Sequence, residues 1–176
     1  MGIAVDAIPM VWSEKHVKEF AEKVLVPLER DEVYLLLLCA RKKYCQELSR
    51  SEEVLKREIV RYSDPDYFYR KLLKIAPQPD SYIDINTRKP IPRDAMAIYV
   101  VINPKSCIKA YTKFMKEVED WLYELGVSDN EDWERFRRLD TKLFSAMHKS
   151  TSRHLYWIVD IDKHDHRLLE LSLIHI

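Results

Sequence analysis

Arg153-His154-Leu155-Tyr156-Trp157-Ile158-Val159-Asp160-Ile161-Asp162 is the stretch around which the rest of the chain is read. It is an apolar, β-type run that ends in two carboxylates two positions apart. Successive side chains on a strand point to opposite faces. Leu155, Trp157, Val159 and Ile161 then form one apolar face, expected to be buried. His154, Tyr156, Ile158, Asp160 and Asp162 share the other, mostly polar face, so both aspartates leave the strand on the same side. Two carboxylates that close repel and favour a cation between them. Mg²⁺ takes oxygen ligands and is often held by one or two carboxylates together with substrate phosphates. A strand end with two solvated aspartates is the plainer account of the same letters.

Outward from that stretch, composition removes several classes of function. The 176 residues suffice for one domain with a real core. Hydrophobic residues at 47% and charged residues at 33% match a globular protein rather than a disordered one. The formal net charge is zero, so any nucleic-acid binding needs a local patch rather than a global field. Gly2 and Gly126 are the only glycines, which excludes the glycine-rich phosphate loops of P-loop and dinucleotide-binding proteins. Cys39, Cys45 and Cys107 form neither a CxxC pair nor a zinc pattern, and their odd number suits a reducing, intracellular compartment, cytoplasmic or within a host cell. Residues 1–12 lack the pattern of a signal peptide. The longest apolar run, from Val33 to Ala40, is too short to cross a bilayer, so no membrane partner is expected. The final Leu171-Ser172-Leu173-Ile174-His175-Ile176 matches the translation of a transposon-end sequencing adapter. On that reading 1–170 is the N-terminal part of a single domain and 171–176 an appended tail without a packed role.

Along the chain, Ser13 caps a helix over about 14–26, with Val17, Phe20, Ala21, Val24, Leu25 and Leu28 on one stripe. Val33 to Cys39 reads as a strand buried on both faces. Ser49-x-x-Glu52 is a capping box that opens a helix to about Tyr62. Asp64-Pro65 supplies an N-cap and a first-turn proline for a helix over about 65–75, with Phe68, Leu72 and Ile75 on its inner face. Residues 76–95 form the main loop, and Tyr82-Ile83-Asp84-Ile85 within it a short edge strand. Met96 to Ile102 is a strand, which Asn103-Pro104-Lys105-Ser106 turns into a helix. Ile108, Tyr111, Met115, Val118, Leu122 and Leu125 repeat at helical spacing, and Gly126 suits the position after its last turn. Ser128-x-x-Glu131 caps a further helix carrying Trp133, Phe136, Leu143, Phe144 and Met147. Both stripes read as core, because they follow the 3.6-residue period. Together these elements predict an α/β (α+β) domain: a small mixed sheet flanked by helices.

The apolar strand that ends Val159-Asp160-Ile161-Asp162 resembles the first catalytic motif of the archaeo-eukaryotic primase superfamily, a hydrophobic run followed by Asp-hydrophobic-Asp. The order of a strand, Asn103-Pro104-Lys105, two helices and then the Asp-x-Asp strand resembles viral and plasmid members, over about residues 33–168. The resemblance implies a primase or primase-polymerase that performs metal-dependent nucleotidyl transfer in DNA replication. Its partners would be a single-stranded DNA template, nucleoside triphosphates, and a helicase or other replication proteins. It further implies that Asp160 and Asp162 hold divalent metals, Mg²⁺ or Mn²⁺, which bind the incoming triphosphate and activate the primer 3′-hydroxyl. The family's second motif, Ser-x-His, and its third, hydrophobic-Asp, follow the first and would lie past residue 170, so the piece is expected to be inactive. Ser152-Arg153-His154 has the letters of the second motif but precedes Asp160.

Basic residues supply the expected contacts to template or triphosphate. Arg41, Lys42 and Lys43 follow a strand end, a common place for binding residues on a rigid scaffold. Lys105 sits at an expected helix N-terminus, a ready anion site. Two other classes fit parts of the pattern. Metal-dependent glycosyltransferases also use an Asp-x-Asp pair. A noncatalytic nucleic-acid-binding replication protein would need only the basic groups.

Overall fold

Two adjoining strands carry the core. The structure is a computed structural model and describes residues 7–9, 13–41, 53–77, 82–83, 88–127 and 138–157. In chain order the elements are β1 (Ala7–Pro9), α1 (Glu14–Val24), β2 (Glu32–Ala40), β3 (Glu53–Val60), α2 (Pro65–Ile75), β4 (Met96–Ser106), α3 (Cys107–Val127) and α4 (Leu139–His148). A 3-10 turn, Arg93–Ala95, leads into β4. Among the described residues the sheet order is β1-β4-β2-β3, and every pairing is antiparallel. The α+β class and the small helix-flanked sheet expected from the sequence hold, and the described strands pair antiparallel.

β2 is buried at all nine positions because it has a neighbour on each edge and helices over each face. That is why its side chains do not alternate apolar and polar, although antiparallel strands usually do so. On one face Tyr34, Leu36 and Leu38 of β2 and Ile98, Val100 and Ile102 of β4 pack against Val17 and Ala21 of α1 and Phe68, Leu72 and Ile75 of α2. On the other, Val33, Leu35, Leu37, Cys39 and Val101 meet Ala110 of α3 and Met147 of α4. Asp64 caps α2 as its sequence predicts, accepting a hydrogen bond from the Tyr67 N–H at 2.7 Å. The chain after α1 is held by phenols. Tyr62 donates to the Ala21 carbonyl, Tyr156 to that of Val24 and Tyr34 to that of Val26. Val24 is the last residue of α1, so its carbonyl has no partner within the helix and the Tyr156 hydroxyl satisfies it.

Five expectations are corrected. The segment placed in a helix up to Tyr62 is strand β3 over its described part, Glu53–Val60; the capping box itself lies outside the described residues. Pairing overrides the local signal here. β2 has an edge to fill, and Val54, Ile59 and Val60 are β-branched residues that face its two cores. Asn103-Pro104 is not a turn, since β4 runs on to Ser106. The register between β2 and β4 shifts between Val33 and Leu35, and proline is tolerated in a sheet at such an irregularity. Gly126 lies inside α3 rather than after it. The α3 stripe expected in the core is exposed at Ile108, Tyr111, Met115 and Leu122. Lastly, residues 153–157 form no regular strand, and Trp157, expected on the buried face, is 87% exposed. Tyr156, from the face expected to be polar, packs on the core instead.

The short strand at 82–85 is described only at its start, where Ile83 bridges Pro90. The helix cap at Ser128, Trp133 and Phe136, and the tail 171–176 lie outside the described residues.

Candidate functional site

The segment leading to the carboxylate pair docks on one end of the sheet. There β4 ends, β2 begins and α3 starts. The N–H of Ser106 donates to the Ser150 carbonyl and that of Ser152 to the Pro104 carbonyl, each at 2.8 Å. Lys105 and Thr151 form an isolated antiparallel bridge. Residues 150–152 thus extend the edge of β4 beyond the reach of β1, which pairs with Tyr99 to Val101.

Three side chains then fix the next turn of chain. Asn103 is buried, and its Oδ1 accepts the N–H groups of Leu155 at 2.8 Å and Tyr156 at 2.9 Å. Its Nδ2 donates back to the Tyr156 carbonyl at 2.9 Å. Glu32 is buried at the head of β2 and takes a two-pronged contact from Arg153, Nε to Oε1 at 2.8 Å and Nη2 to Oε2 at 2.5 Å. Arg153 also donates to the Pro27 carbonyl at 3.1 Å, and the Glu29 N–H donates to Glu32 Oε2 at 2.9 Å. Burial by itself would raise the Glu32 carboxyl. Hydrogen bonds from Arg153, the Glu29 N–H and Ser152 outweigh it and hold the group below its ordinary value. Tyr34, next but one along β2, has its phenol pushed up to about 12, chiefly by burial.

Beside this end, α3 is capped from two directions. Ser106 Oγ accepts from the Lys109 N–H at 3.1 Å and donates to Asp31 Oδ2 at 2.5 Å. The Asp31 carbonyl accepts from the Cys107 N–H at 2.8 Å. The helix N-terminus expected to receive an anion from outside is therefore occupied by the protein's own oxygens.

Of the expected site residues Lys105 and Arg41 are described, and these two stand at opposite ends of the sheet. Asp160, Asp162, Lys42 and Lys43 lie outside the described residues. Lys105 is 2% exposed within β4, and its Nζ donates to Thr151 Oγ1 at 2.8 Å. Its expected place at a helix N-terminus facing a triphosphate is corrected to a buried structural one. Arg41 is exposed just past β2, as expected, and its N–H donates to the Ala95 carbonyl at 2.6 Å. It stands at the other end of the sheet, however. Ala40 pairs with Met96, whereas Val33 pairs with Lys105. At about 3.3 Å per residue the two ends are roughly 25 Å apart.

Glu32, Asn103 and Arg153 are the residues that sequence reasoning missed here. A lone carboxylate heading an unbroken apolar strand was the available signal. His154 and Trp157 end the described segment as an exposed stacked pair, with ring centroids 6.2 Å apart and planes inclined at 23°. Among the described residues no three His, Cys, Asp or Glu side chains gather where they would hold a metal, and no helix is long and apolar enough to cross a membrane. Comparison of the chain with protein-family models, with curated proteins and with solved structures gave no match.

Proposed function

We propose that this chain is part of a metal-dependent nucleotidyl transferase of DNA replication, a primase or primase-polymerase, with Asp160 and Asp162 as the ligands of Mg²⁺ or Mn²⁺. The observation that carries the reading is the sequence Val159-Asp160-Ile161-Asp162 after an apolar run. Divalent ions at such a pair supply electrostatic stabilisation of a triphosphate and activation of a hydroxyl nucleophile. The chain's own contribution is to hold two carboxylates together and to fix the segment that leads to them. Asn103 and the Glu32–Arg153 pair do the latter up to Trp157, three residues before Asp160.

Two further observations support a nucleic-acid partner. His154 and Trp157 present an exposed flat surface just before the aspartates, and bases stack on aromatic side chains irrespective of sequence. Arg41 is exposed at the far end of the sheet, where it suits the backbone of an extended template rather than the triphosphate.

The test is Mn²⁺ binding followed by electron paramagnetic resonance, comparing the wild-type chain with Asp160→Asn/Asp162→Asn. The substitution preserves size and removes charge, so binding should disappear while the thermal melt stays unchanged or improves slightly, since close carboxylates repel without metal. The paired activity assay is metal-dependent nucleotide incorporation on single-stranded DNA by the protein extended past residue 170. Binding or incorporation that survives in the double variant refutes the mechanism. Transfer of a sugar from a nucleotide sugar, without a requirement for template, would favour the glycosyltransferase reading.

A further inference from the structure

α3 turns an apolar seam to solvent. Ile108 is 67% exposed, Tyr111 51%, Met115 60% and Leu122 55%. With Val118 and Leu125 they recur at alternating spacings of three and four over residues 108–125, the a and d positions of a heptad repeat. The opposite side of the helix is already occupied. Ala110 is buried in the core, Lys113 Nζ donates to the Lys149 carbonyl at 2.8 Å, and Lys142 of α4 pairs with Glu117 at 3.7 Å and lies over the Trp121 ring at 4.9 Å. The exposed seam is thus a second apolar face on a helix that has spent its first.

The charges on α3 indicate what covers it. Every charged residue in 107–116 is basic: Lys109, Lys113 and Lys116. Every one in 117–127 is acidic: Glu117, Glu119, Asp120 and Glu124. This opposes the helix dipole, which favours acids at the N-terminus and bases at the C-terminus. Within one chain the arrangement is unfavourable. A second copy of α3 running antiparallel reverses the sign, because each basic half then lies beside an acidic half.

We propose that the chain forms a two-fold symmetric homodimer through an antiparallel pair of α3 helices. The a and d positions interlock in layers, with Met115 against Val118 of the second copy next to the axis and Tyr111 against its Leu122 further out. Lys109 and Lys116, both exposed, then flank Glu119 of the second copy, which is exposed as well. A parallel pair would set like charges side by side. A two-fold axis requires one self-complementary patch, and a seam whose charges are opposite in its two halves is such a patch. The proposal is independent of the catalytic reading, since no residue of the carboxylate motif lies on α3.

The test is sedimentation velocity of the 176-residue chain across a micromolar dilution series. The wild type should show a reversible monomer–dimer equilibrium. Met115→Glu should raise the dimer dissociation constant at least about thirtyfold, the loss typical of a central interface residue, and leave the melting temperature of the monomer unchanged. Two charge variants provide the second arm. Glu119→Lys and Lys109→Glu/Lys116→Glu should each fail to self-associate, and an equimolar mixture should form a heterodimer. A wild type that is monomeric throughout overturns the proposal, as does a dimer that Met115→Glu leaves intact. A monomer that Met115→Glu destabilises also overturns it, because the chain's own undescribed segments would then cover the seam. Charge variants that self-associate like the wild type refute the antiparallel arrangement.

Discussion

Replacing Arg153 by Met tests how the segment 150–157 is held. The substitution keeps an unbranched apolar stem and removes the guanidinium that meets Glu32. The Glu32 side chain is wholly buried, whereas that of Arg153 is 33% exposed. Removing one partner of a buried pair costs about 3–5 kcal/mol, because the other charge is left without compensation. Partial exposure of Arg153 screens the pair, and Glu32 keeps its bond from the Glu29 N–H, so about 2–3 kcal/mol is expected at pH 7. The loss should depend on pH in a definite direction. In the wild type the Glu32 carboxyl sits below its ordinary value, so its contribution is complete above the unfolded carboxylate pKa of about 4.3 and is lost as pH falls through the lower folded value. In the variant burial is opposed far less, the carboxyl titrates at higher pH, and protonation relieves the buried charge. The gap between the two proteins should therefore shrink as pH falls from the variant's carboxyl pKa towards the wild type's lower one. Urea unfolding followed by circular dichroism from pH 7 to acid measures it, and Glu32→Gln/Arg153→Met should recover much of the loss. A variant within about 0.5 kcal/mol of wild type at pH 7, or a gap independent of pH, refutes the reasoning.

Asn103→Leu leaves the N–H groups of Leu155 and Tyr156 without their acceptor and should cost about 2–4 kcal/mol by urea unfolding, with faster hydrogen exchange at those two amides. Leu36→Ala, at a fully buried position of β2, should cost about 3–5 kcal/mol and lower the melting temperature without changing the unfolding slope. Tyr34 should appear in an ultraviolet phenolate titration as a group ionising near 12, with stability intact below its unfolded value of 10.0 and lost progressively between the two. A full shift of that size corresponds to about 3 kcal/mol, and Tyr34→Phe should flatten this alkaline arm.

Legibility differed with the origin of each signal. Where one local cause sufficed, the structure follows the letters. Asp64-Pro65 starts α2, the α1 stripe packs inward, and the run from Val33 to Cys39 is buried throughout. Where a residue's role depends on a distant partner, the letters misled. Residues 53–60 contain enough Lys, Arg and Glu for a helix, but β2 needs a strand on that edge and the β-branched residues of the segment fit its pleat. Ile108, Met115 and Leu122 have a core-like period, which states that a face is apolar but not what will cover it. Trp157 and Tyr156 exchanged their expected faces because Asn103 bonds to the chain on its backbone, an interaction that alternation of side chains does not register.

The buried polar side chains carry the remaining step of the functional argument. Among the described residues these are Glu32, Asn103, Lys105, Ser106 and Ser150, and all five lie at the end of the sheet where 150–157 docks. Each has a partner at that end: Arg153, the Leu155 and Tyr156 backbone, Thr151, Asp31 and the Ala146 carbonyl. Apolar residues of similar volume would fill the space at less risk, because a buried polar group is costly whenever its bond is imperfect. What such a network adds is uniqueness of position, since hydrogen bonds tolerate far less displacement than apolar contacts do. A domain that needed only stability would gain little from concentrating this cost on one docked segment. A domain that must present two carboxylates three to five residues further on in fixed register would gain the direction of the chain that carries them. Disrupting the network at Asn103 should accordingly weaken Mn²⁺ binding more than Leu36→Ala does at matched loss of stability. Equal weakening by the two variants would reduce the polar end of the sheet to a feature of folding alone.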